Sequence, residues 1–415
     1  MKALVCCLLL SIASLVYASE ELIWTPVSLP GLKVVQGGAE DNIGIWFHGD
    51  FGWLNSGFQL WVSHDAGRSW MLSLKPPVKQ IDERIYESLF YDVYFVNESE
   101  GWAVEDAFPH SLFHTKDGGI SWEEIQFTIT QTSNNHVGTN RLVLARVYFK
   151  DSLNGLGVFA MIGETWYPYW LGGLIARTKD GGQNWIEVGR GFTFPHIFGF
   201  GDQVQIVDSL SNSTYTSDFG NTFRQVFAPN YNVSNVIWGT PFYGWALVHN
   251  YLGNDPPLPY SRHEVLMTND AGNTWSAPIF SKNFLGHDSG ILAICLMSED
   301  VGAVLCYSEP GKEDTSSHLY MTYDKGFTWT SYPAPIPLSS WYSLPIQIRP
   351  DPWFILNFNQ QRREIWLFPI YLFFSAIETK IAENILYYAS IDTTTSVHSS
   401  GKLFTTWAWI KKMGK

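Results

Sequence analysis

The sequence predicts an all-β protein built from repeated four-stranded units. One octapeptide pattern, Ser/Thr-x-Asp-x-Gly-x-Ser/Thr-Trp, occurs six times along the 415 residues, four times in full and twice with one departure, Asn184 at the hydroxyl position and Phe223 in place of the tryptophan. Aromatic residues make up 16% of the chain, and 35 glycines and 21 prolines are spread through it, whereas long helical periodicity is scarce. Short strands and frequent turns produce this combination, and repetition at a regular spacing is typical of propellers and solenoids.

The copies of the octapeptide are separated by roughly 40 to 60 residues, the length of one four-stranded propeller blade with its loops. They occupy residues 63–70, 115–122, 178–185, 216–223, 268–275 and 322–329. A seventh, altered copy at 390–397 keeps Ser390, Asp392 and Ser396. The sequence therefore predicts a seven-bladed β-propeller of four-stranded antiparallel blades, with six blades as the alternative.

Each octapeptide is expected to form the hairpin between the third and fourth strands of its blade. The carboxylate can accept hydrogen bonds from turn N–H groups that would otherwise lack partners. The glycine can adopt a positive φ at little cost, and the tryptophan packs under the turn. These features predict a structural and non-catalytic role for the six aspartates, which are Asp65, Asp117, Asp180, Asp218, Asp270 and Asp324.

The sequence contains two segments that could supply the strand that closes the ring. Residues 23–27 resemble the strands that follow the octapeptides and could serve as the outer strand of the last blade. Residues 404–410 could fill the same position from the other end of the chain. Either solution removes an exposed sheet edge.

The N-terminus is typical of a protein that enters the secretory pathway. Lys2 precedes an apolar run, and Ala18 ends a small-x-small cleavage pattern, so residues 1–18 are predicted to be a signal peptide and residues 19–415 a single propeller domain. We therefore expect a secreted or luminal protein. Sequons predict N-glycosylation at three asparagines, Asn97, Asn212 and Asn232.

Two cysteines remain after removal of the signal peptide. Cys295 and Cys306 flank one predicted hairpin, and an oxidising compartment would allow them to form a cross-strand disulfide. Two buried free thiols are the alternative.

The net charge of −13 and the absence of a basic stripe argue against nucleic acid as a partner. No apolar run is long enough to span a membrane. The 11 histidines show no metal-ligand spacing, and no glycine-rich phosphate loop follows a strand, so we expect neither a metal nor a cofactor. The sequence leaves the oligomeric state open.

The octapeptides resemble the Asp-box (BNR-repeat) propeller superfamily. The segments 92–96 and 100–104, followed by 114–119, look most like the photosystem II stability/assembly factor branch, while sialidase-like and sortilin-type propellers are more distant. This resemblance implies a seven-bladed, non-enzymatic platform for assembly or binding. The photosynthetic role does not follow from it, because a secretory signal is predicted for residues 1–18 of this chain.

Two kinds of enzymatic chemistry are compatible with residues of this chain. A sialidase needs three arginines around a sugar carboxylate; Arg84, Arg262 and Arg349 are available, but their spacing does not require convergence. Glycoside hydrolysis in general uses two carboxylates, and Glu105 and Asp106 at the end of a predicted strand could face the axis. A glycoside hydrolase of sialidase or related type is therefore the alternative function.

The long loops carry the main functional prediction. Connections between the second and third strands, and between blades, leave one face of a propeller. Here they carry the candidate binding residues Trp166, Tyr167, Tyr169, Trp170, Tyr251, Tyr260, Arg84 and Arg262. Exposed aromatic side chains suit protein hot spots and sugar stacking. The sequence favours a non-catalytic scaffold that binds a protein or glycan; a structural role within a larger assembly is a third hypothesis.

Overall fold

Short apolar strands joined by glycine-rich and polar turns form a ring of seven four-stranded antiparallel sheets. The chain is a seven-bladed β-propeller. The computed structural model describes residues 22–32, 43–81, 84–105, 111–132, 142–162, 170–190, 196–207, 212–227, 232–251, 260–285, 290–307, 316–337, 351–359, 361–372 and 385–391. In this part of the chain no helix has the length and apolar character needed to cross a bilayer.

The strands of each blade are called A to D from the axis outward. The A strands of blades 1 to 7 are β2 (Gly44–His48), β8 (Phe90–Phe95), β13 (Leu142–Phe149), β17 (His196–Phe200), β21 (Asn232–Trp238), β25 (Ile291–Leu296) and β29 (Asp351–Asn359). The B strands are β3 (Phe51–Asn55), β9 (Gly101–Glu105), β14 (Gly155–Ile162), β18 (Gln203–Val207), β22 (Gly244–Tyr251), β26 (Gly302–Tyr307) and β30 (Glu364–Leu372). A strands of most neighbouring blades contact one another, as β2 and β29 or β8 and β13 do, which places them around the axis.

The outer half of each blade has the same order. The C strands are β4 (Leu60–Ser63), β10 (Leu112–Thr115), β15 (Trp170–Thr178), β19 (Asn212–Thr216), β23 (Tyr260–Thr268), β27 (Ser316–Thr322) and β31 (Ile385–Ser390). The D strands are β5 (Met71–Leu74), β11 (Glu123–Ile125), β16 (Asn184–Arg190), β20 (Arg224–Phe227), β24 (Phe280–Leu285), β28 (Thr330–Pro337) and, in blade 7, β1 (Thr25–Ser28). The seventh blade is therefore confirmed.

Stacking of adjacent blades buries both faces of the middle strands. Every residue of β3 and of β9 is buried, although neither strand is uniformly apolar. Trp102 of blade 2 stacks on Phe149 of blade 3 with 3.7 Å between ring centroids and 6° between ring planes. Trp185 packs edge-on against the same phenylalanine. The core is thus a series of layers between blades, because one blade cannot bury its own faces.

The N-terminal strand closes the ring. β1 pairs antiparallel with β31, with Thr25 opposite Tyr388 and Ser28 opposite Ile385. The first of the two closure alternatives is therefore correct, and residues 404–410 lie outside the described residues. Ser390 ends β31 at the position that Ser63 occupies in blade 1, so the altered seventh octapeptide begins where the six regular copies do.

Polar contacts reinforce the junction of blades 7 and 1. Arg68 forms a bidentate ion pair with Glu364, in which Nη1 lies 2.8 Å from Oε2. The same guanidinium lies over the ring of Tyr388, with 4.4 Å from Cζ to the centroid. Asn359 donates from Nδ2 to the carbonyl of Gly49 at 2.6 Å.

The two ends of the propeller differ in the connections they carry. The A–B turns and the C–D octapeptide turns lie at one end, here called the turn face. The B–C and D–A connections lie at the other end, here called the loop face. Two D–A connections contain strands: β6 (Val78–Ile81) and β7 (Arg84–Glu87) pair as a hairpin between blades 1 and 2, and β12 (Thr128–Thr130) adds in parallel to β16. β12 gives blade 3 a fifth strand.

The predicted disulfide between Cys295 and Cys306 is wrong. Both thiols are free and buried. In the β25–β26 hairpin Cys295 lies opposite Ala303, whereas Cys306 lies opposite Ile291. The two side chains also belong to different apolar layers, on opposite faces of the blade. Bridging them would require a different register of the hairpin.

Candidate functional site

The six octapeptide turns, here called the aspartate turns, share one hydrogen-bond pattern. In each, Oδ1 of the aspartate accepts from the backbone N–H four residues later at 2.8 to 2.9 Å. Oδ2 accepts from the side chain of that same residue at 2.6 to 2.8 Å. The Ser or Thr at the first position donates to Oδ1 and accepts from the glycine N–H. Each carboxylate is therefore used by its own turn.

A second link joins each aspartate turn to the A–B turn of its own blade. The residue after the aspartate donates its N–H to an A–B carbonyl, as in Ala66 to Asp50 at 2.7 Å and Ala271 to Phe242 at 3.0 Å. This residue has a left-handed backbone in all six turns, although in four of them it is not glycine: Ala66, Phe219, Ala271 and Lys325. The repeated link orders the whole turn face.

The aspartate turns hold their carboxylates in the ionised form. Hydrogen bonds from Ser121 lower the pKa of Asp117 to about 2, and hydrogen bonds from Thr222 lower the pKa of Asp218 to about 2. Accepting several hydrogen bonds favours the charged carboxylate. These two groups are consequently poor proton donors near neutral pH, which fits a role in the turn.

The loop face carries the candidate binding residues at strand ends. Trp170 begins β15, Tyr251 ends β22 and Tyr260 begins β23. Arg262 lies within β23, opposite Asn250 on one side and Asn283 on the other. Arg84 begins β7 in the hairpin between blades 1 and 2. These five belong to the same end of the propeller but to different blades and connections; Trp166, Tyr167, Tyr169 and Arg349 lie outside the described residues.

The remaining candidates from the sequence fall at both ends. Glu105 is fully buried at the end of β9, and Asp106 lies outside the described residues. Asn97 is exposed in the A–B turn of blade 2, on the turn face. Asn212 and Asn232 begin β19 and β21, which places both on the loop face.

A cleft on the turn face separates blades 2 and 3. Oε1 of Glu100 lies 3.0 Å from Nε2 of His114, and Oε2 accepts from the hydroxyl of Ser152 at 2.8 Å. The imidazole also stacks on Trp102, with 4.7 Å between centroids. The cleft encloses 420 Å³ and is lined mainly by charged and amide side chains, with Leu153 and Ile125 among the few apolar ones.

The chemistry of this cleft is that of hydrogen bonding and charge. Burial lowers the pKa of His114, against the opposing effect of Glu100, so the imidazole is neutral at neutral pH. The hydroxyl of Ser152 donates to a carboxylate and not to an imidazole, which differs from a nucleophile–base pair. Within the described residues no set of three or more His, Cys, Asp or Glu could hold a metal ion.

A second polar cluster lies at the axis of the ring. Asp92 of blade 2 accepts from the N–H groups of Val93 at 3.0 Å and Val147 at 2.8 Å. Arg146 of blade 3 donates to the carbonyl of Tyr91. These contacts satisfy backbone groups on the inner edges of two A strands, so the cluster joins blade 2 to blade 3.

Burial governs the charges at the axis. Burial raises the pKa of Asp92, although the nearby Arg146 opposes this effect. His196 begins the A strand β17, and its side chain is exposed to solvent.

Reasoning from the sequence missed both clusters. Each unites residues from different blades, and their positions in the chain are far apart. For the cleft, the signal available was the charged sequence around His114 and Lys116 immediately before an aspartate turn. For the axis, it was a charged residue in the apolar A strands, such as Asp92 in β8 or Arg146 in β13.

Comparisons with known proteins agree with this architecture. No family model matches the chain. The structure of YCF48 bound to a D1 peptide superposes with a TM-score of 0.52 and 16% identity, covering 89% of this chain and 97% of that one. YCF48 from Cyanidioschyzon merolae gives a TM-score of 0.50 and 14% identity, with 88% and 98% coverage. The expected likeness to assembly-factor propellers is thereby confirmed at the level of the fold.

A relative in sequence also exists in yeast. The uncharacterised protein YCR100C of Saccharomyces cerevisiae is 23% identical over 290 residues, which cover 67% of this chain and 80% of that protein. This similarity carries no assigned activity.

Proposed function

We propose that this protein is a secreted, non-catalytic propeller that binds a protein or glycan through its loop face. The observation that carries the proposal is the position of the long B–C connections of blades 3 and 5. One joins Ile162 to Trp170 and the other joins Tyr251 to Tyr260, and all four of these strand ends lie on the loop face. Their sequences contain four aromatic residues between 166 and 170 and a proline-rich stretch between 256 and 259.

The chemistry of the two faces supports binding at the loop face. On the turn face the six aspartates are engaged within their own turns, and two of them have a pKa of about 2. On the loop face, aromatic side chains offer a large contact area at a small cost in conformational entropy. Proline fixes φ and lowers that cost further.

A protein ligand is the first choice between the two classes. The YCF48 structure, a neighbour in fold, contains a bound D1 peptide, so a propeller similar to this one binds a polypeptide segment. Occupied glycosylation sites at Asn212 and Asn232 would cover part of the loop face at blades 4 and 5. We therefore centre the proposed contact on blade 3.

The test compares loop-face and turn-face variants of the secreted protein. Trp166→Ala, Tyr167→Ala and Trp170→Ala are combined in one variant. The matched control combines Ile120→Ala and Phe327→Ala, which remove exposed apolar side chains from aspartate turns on the opposite face. Both proteins are applied to a peptide array of secretory-pathway proteins and to a glycan array.

Signals that disappear in the loop-face variant and persist in the control would support the proposal. Equal binding by both variants would refute it. Fluorogenic glycosides test the alternative enzyme in parallel, because turnover abolished by Arg84→Ala or Arg262→Ala would favour a glycoside hydrolase. Circular dichroism of each variant establishes that the sheets are intact.

A further inference from the structure

The cleft between blades 2 and 3 is strongly acidic. Its lining includes Glu100, Glu123, Glu124 and Asp180, against a single permanent cation in the lining, Lys116. His114 adds no positive charge, because burial lowers its pKa and keeps the imidazole neutral. The open side of the cleft therefore presents a negative field to solvent, and the field acts within about 10 Å at an ionic strength of 0.1 M.

An exposed apolar side chain lines the same cleft. Leu153, in the A–B turn of blade 3, is 56% exposed and lines the cavity. Ile120 is not part of the lining, but it lies in the aspartate turn that contains Lys116 and is 68% exposed. Burial of such exposed apolar side chains by a bound segment is favourable. A fitting occupant combines positive charge with apolar or aromatic side chains.

This chain contains such a segment. Residues 401–415 read GKLFTTWAWIKKMGK and include four lysines, two tryptophans and no acidic residue. They lie outside the described residues. β1 already supplies the outer strand of blade 7, so the described ring is closed without this segment.

The end of the last strand lies on the correct face for this contact. β31 ends at Ser390, at the turn-face end of blade 7, where the N–H of Ile391 donates to the carbonyl of Arg363 at 2.8 Å. Blade 2 is two positions further around the ring. About 20 residues separate Ile391 from Lys411, and an extended chain of that length spans up to roughly 70 Å. The lysines can therefore reach the cleft without any rearrangement of the blades.

We propose that the lysine-rich segment 401–415 docks in the acidic cleft between blades 2 and 3 of the same molecule. Lysine ammonium groups face the carboxylates of Glu123 and Glu124, and the tryptophans cover Leu153. Tethering makes weak contacts sufficient, because a short linker supplies an effective concentration on the order of millimolar. The contact lies on the turn face and is independent of the proposed ligand site on the loop face.

Zero-length cross-linking of the full chain tests this contact. A carbodiimide joins a lysine amine directly to a carboxylate only when the two groups touch, and mass spectrometry of digests locates the bond. We expect links from Lys411, Lys412 or Lys415 to Glu123 or Glu124. The ion pair of Lys150 and Asp202, with 2.6 Å between Nζ and Oδ1, is the internal positive control.

Two variants separate this cleft from acidic surface in general. Glu123→Lys should reduce the yield of tail links to the cleft several-fold, whereas Glu299→Lys, a charge reversal on the turn face of blade 6, should leave it unchanged. Salt at roughly 1 M, where the Debye length is about 3 Å, should also reduce the yield.

Isotope mixing distinguishes the possible occupants. If ¹⁵N-labelled and unlabelled protein are mixed, links within one molecule join only like-labelled peptides. Mixed-label links would show that the tail of a second copy occupies the cleft and would overturn the proposal. A preparation in which the Lys150–Asp202 link forms and no tail link to the cleft is found would overturn it as well.

Discussion

Substitution of one glycine in an aspartate turn should destabilise the propeller by more than its backbone conformation alone explains. Gly272 has a φ of +82°, and a Cβ atom placed there would lie 2.8 Å from Cγ1 of Val226 in blade 4. Val226 is buried and β-branched, so it cannot move aside by a simple rotation. Gly272→Ala therefore combines a strained backbone with a clash between two blades.

Gly201 separates these two contributions. It has a φ of +67° in the A–B turn of blade 4, and a Cβ atom placed there would meet nothing within 4 Å beyond its chain neighbours. Gly201→Ala should cost about 1–2 kcal/mol of unfolding free energy, for the left-handed backbone alone. Gly272→Ala should cost about 2–5 kcal/mol, because overpacking a filled site adds about 1–3 kcal/mol.

The neighbouring residue gives a further control. Ala271 is buried with a φ of +61°. In Ala271→Gly the relief of backbone strain offsets the larger entropy of glycine and the loss of one methyl group, so stability should stay within about 1 kcal/mol of wild type.

Urea unfolding followed by tryptophan fluorescence and by circular dichroism measures all three variants. Free energies can be compared where the two probes give coincident transitions. If Gly272→Ala proved no more destabilising than Gly201→Ala, the clash between the new methyl group and Val226 would add nothing to the free energy of unfolding. That result would refute the prediction.

Three more outcomes are expected. Arg68→Ala should lower the urea midpoint more than Glu364→Ala, because it leaves a buried carboxylate unpaired whereas the freed guanidinium can turn to water; equal effects would contradict this. The pKa of Asp117 is lowered from 3.8 to about 2, so its stabilising effect is present above about pH 4 and is lost as the pH falls through about 2. The stability gap between wild type and Asp117→Asn should shrink over that window, and a constant gap would argue against it. Burial raises the pKa of Cys295 to about 12, so Cys295 should react with a thiol reagent only after unfolding; rapid labelling of the folded protein would disprove this.

The repeat was readable from the sequence because its chemistry is local. Asp270 accepts hydrogen bonds from the hydroxyl of Thr268 and from the N–H of Thr274, which both belong to the same eight residues. These hydrogen bonds of the carboxylate therefore need no distant part of the chain. Blade 7 was harder to recognise, because its outer strand comes from the opposite end of the chain. The sequence of β1 looked like the other outer strands, but only the pairing with β31 distinguishes the two closure alternatives.

Features that depend on register or on contacts between blades were not accessible in this way. Cys295 and Cys306 flank the same turn, but the register of the hairpin places Cys295 opposite Ala303 and not opposite Cys306. A bulge between Ile291 and Ala293 changes the register a second time, before Cys306 is reached. The cleft holding Glu100 and Ser152 exists only where two blades meet. Neither the register nor this juxtaposition follows from strand propensity.

Closure by β1 has a consequence for biosynthesis. The partner of Thr25 is Tyr388, which leaves the ribosome more than 300 residues later. At 5–20 residues per second, the first strand waits roughly 20–70 s for its partner. During that interval the nascent chain is an open arc with unpaired edges at both ends, so chaperones of the compartment in which it is made have a long period in which to bind it.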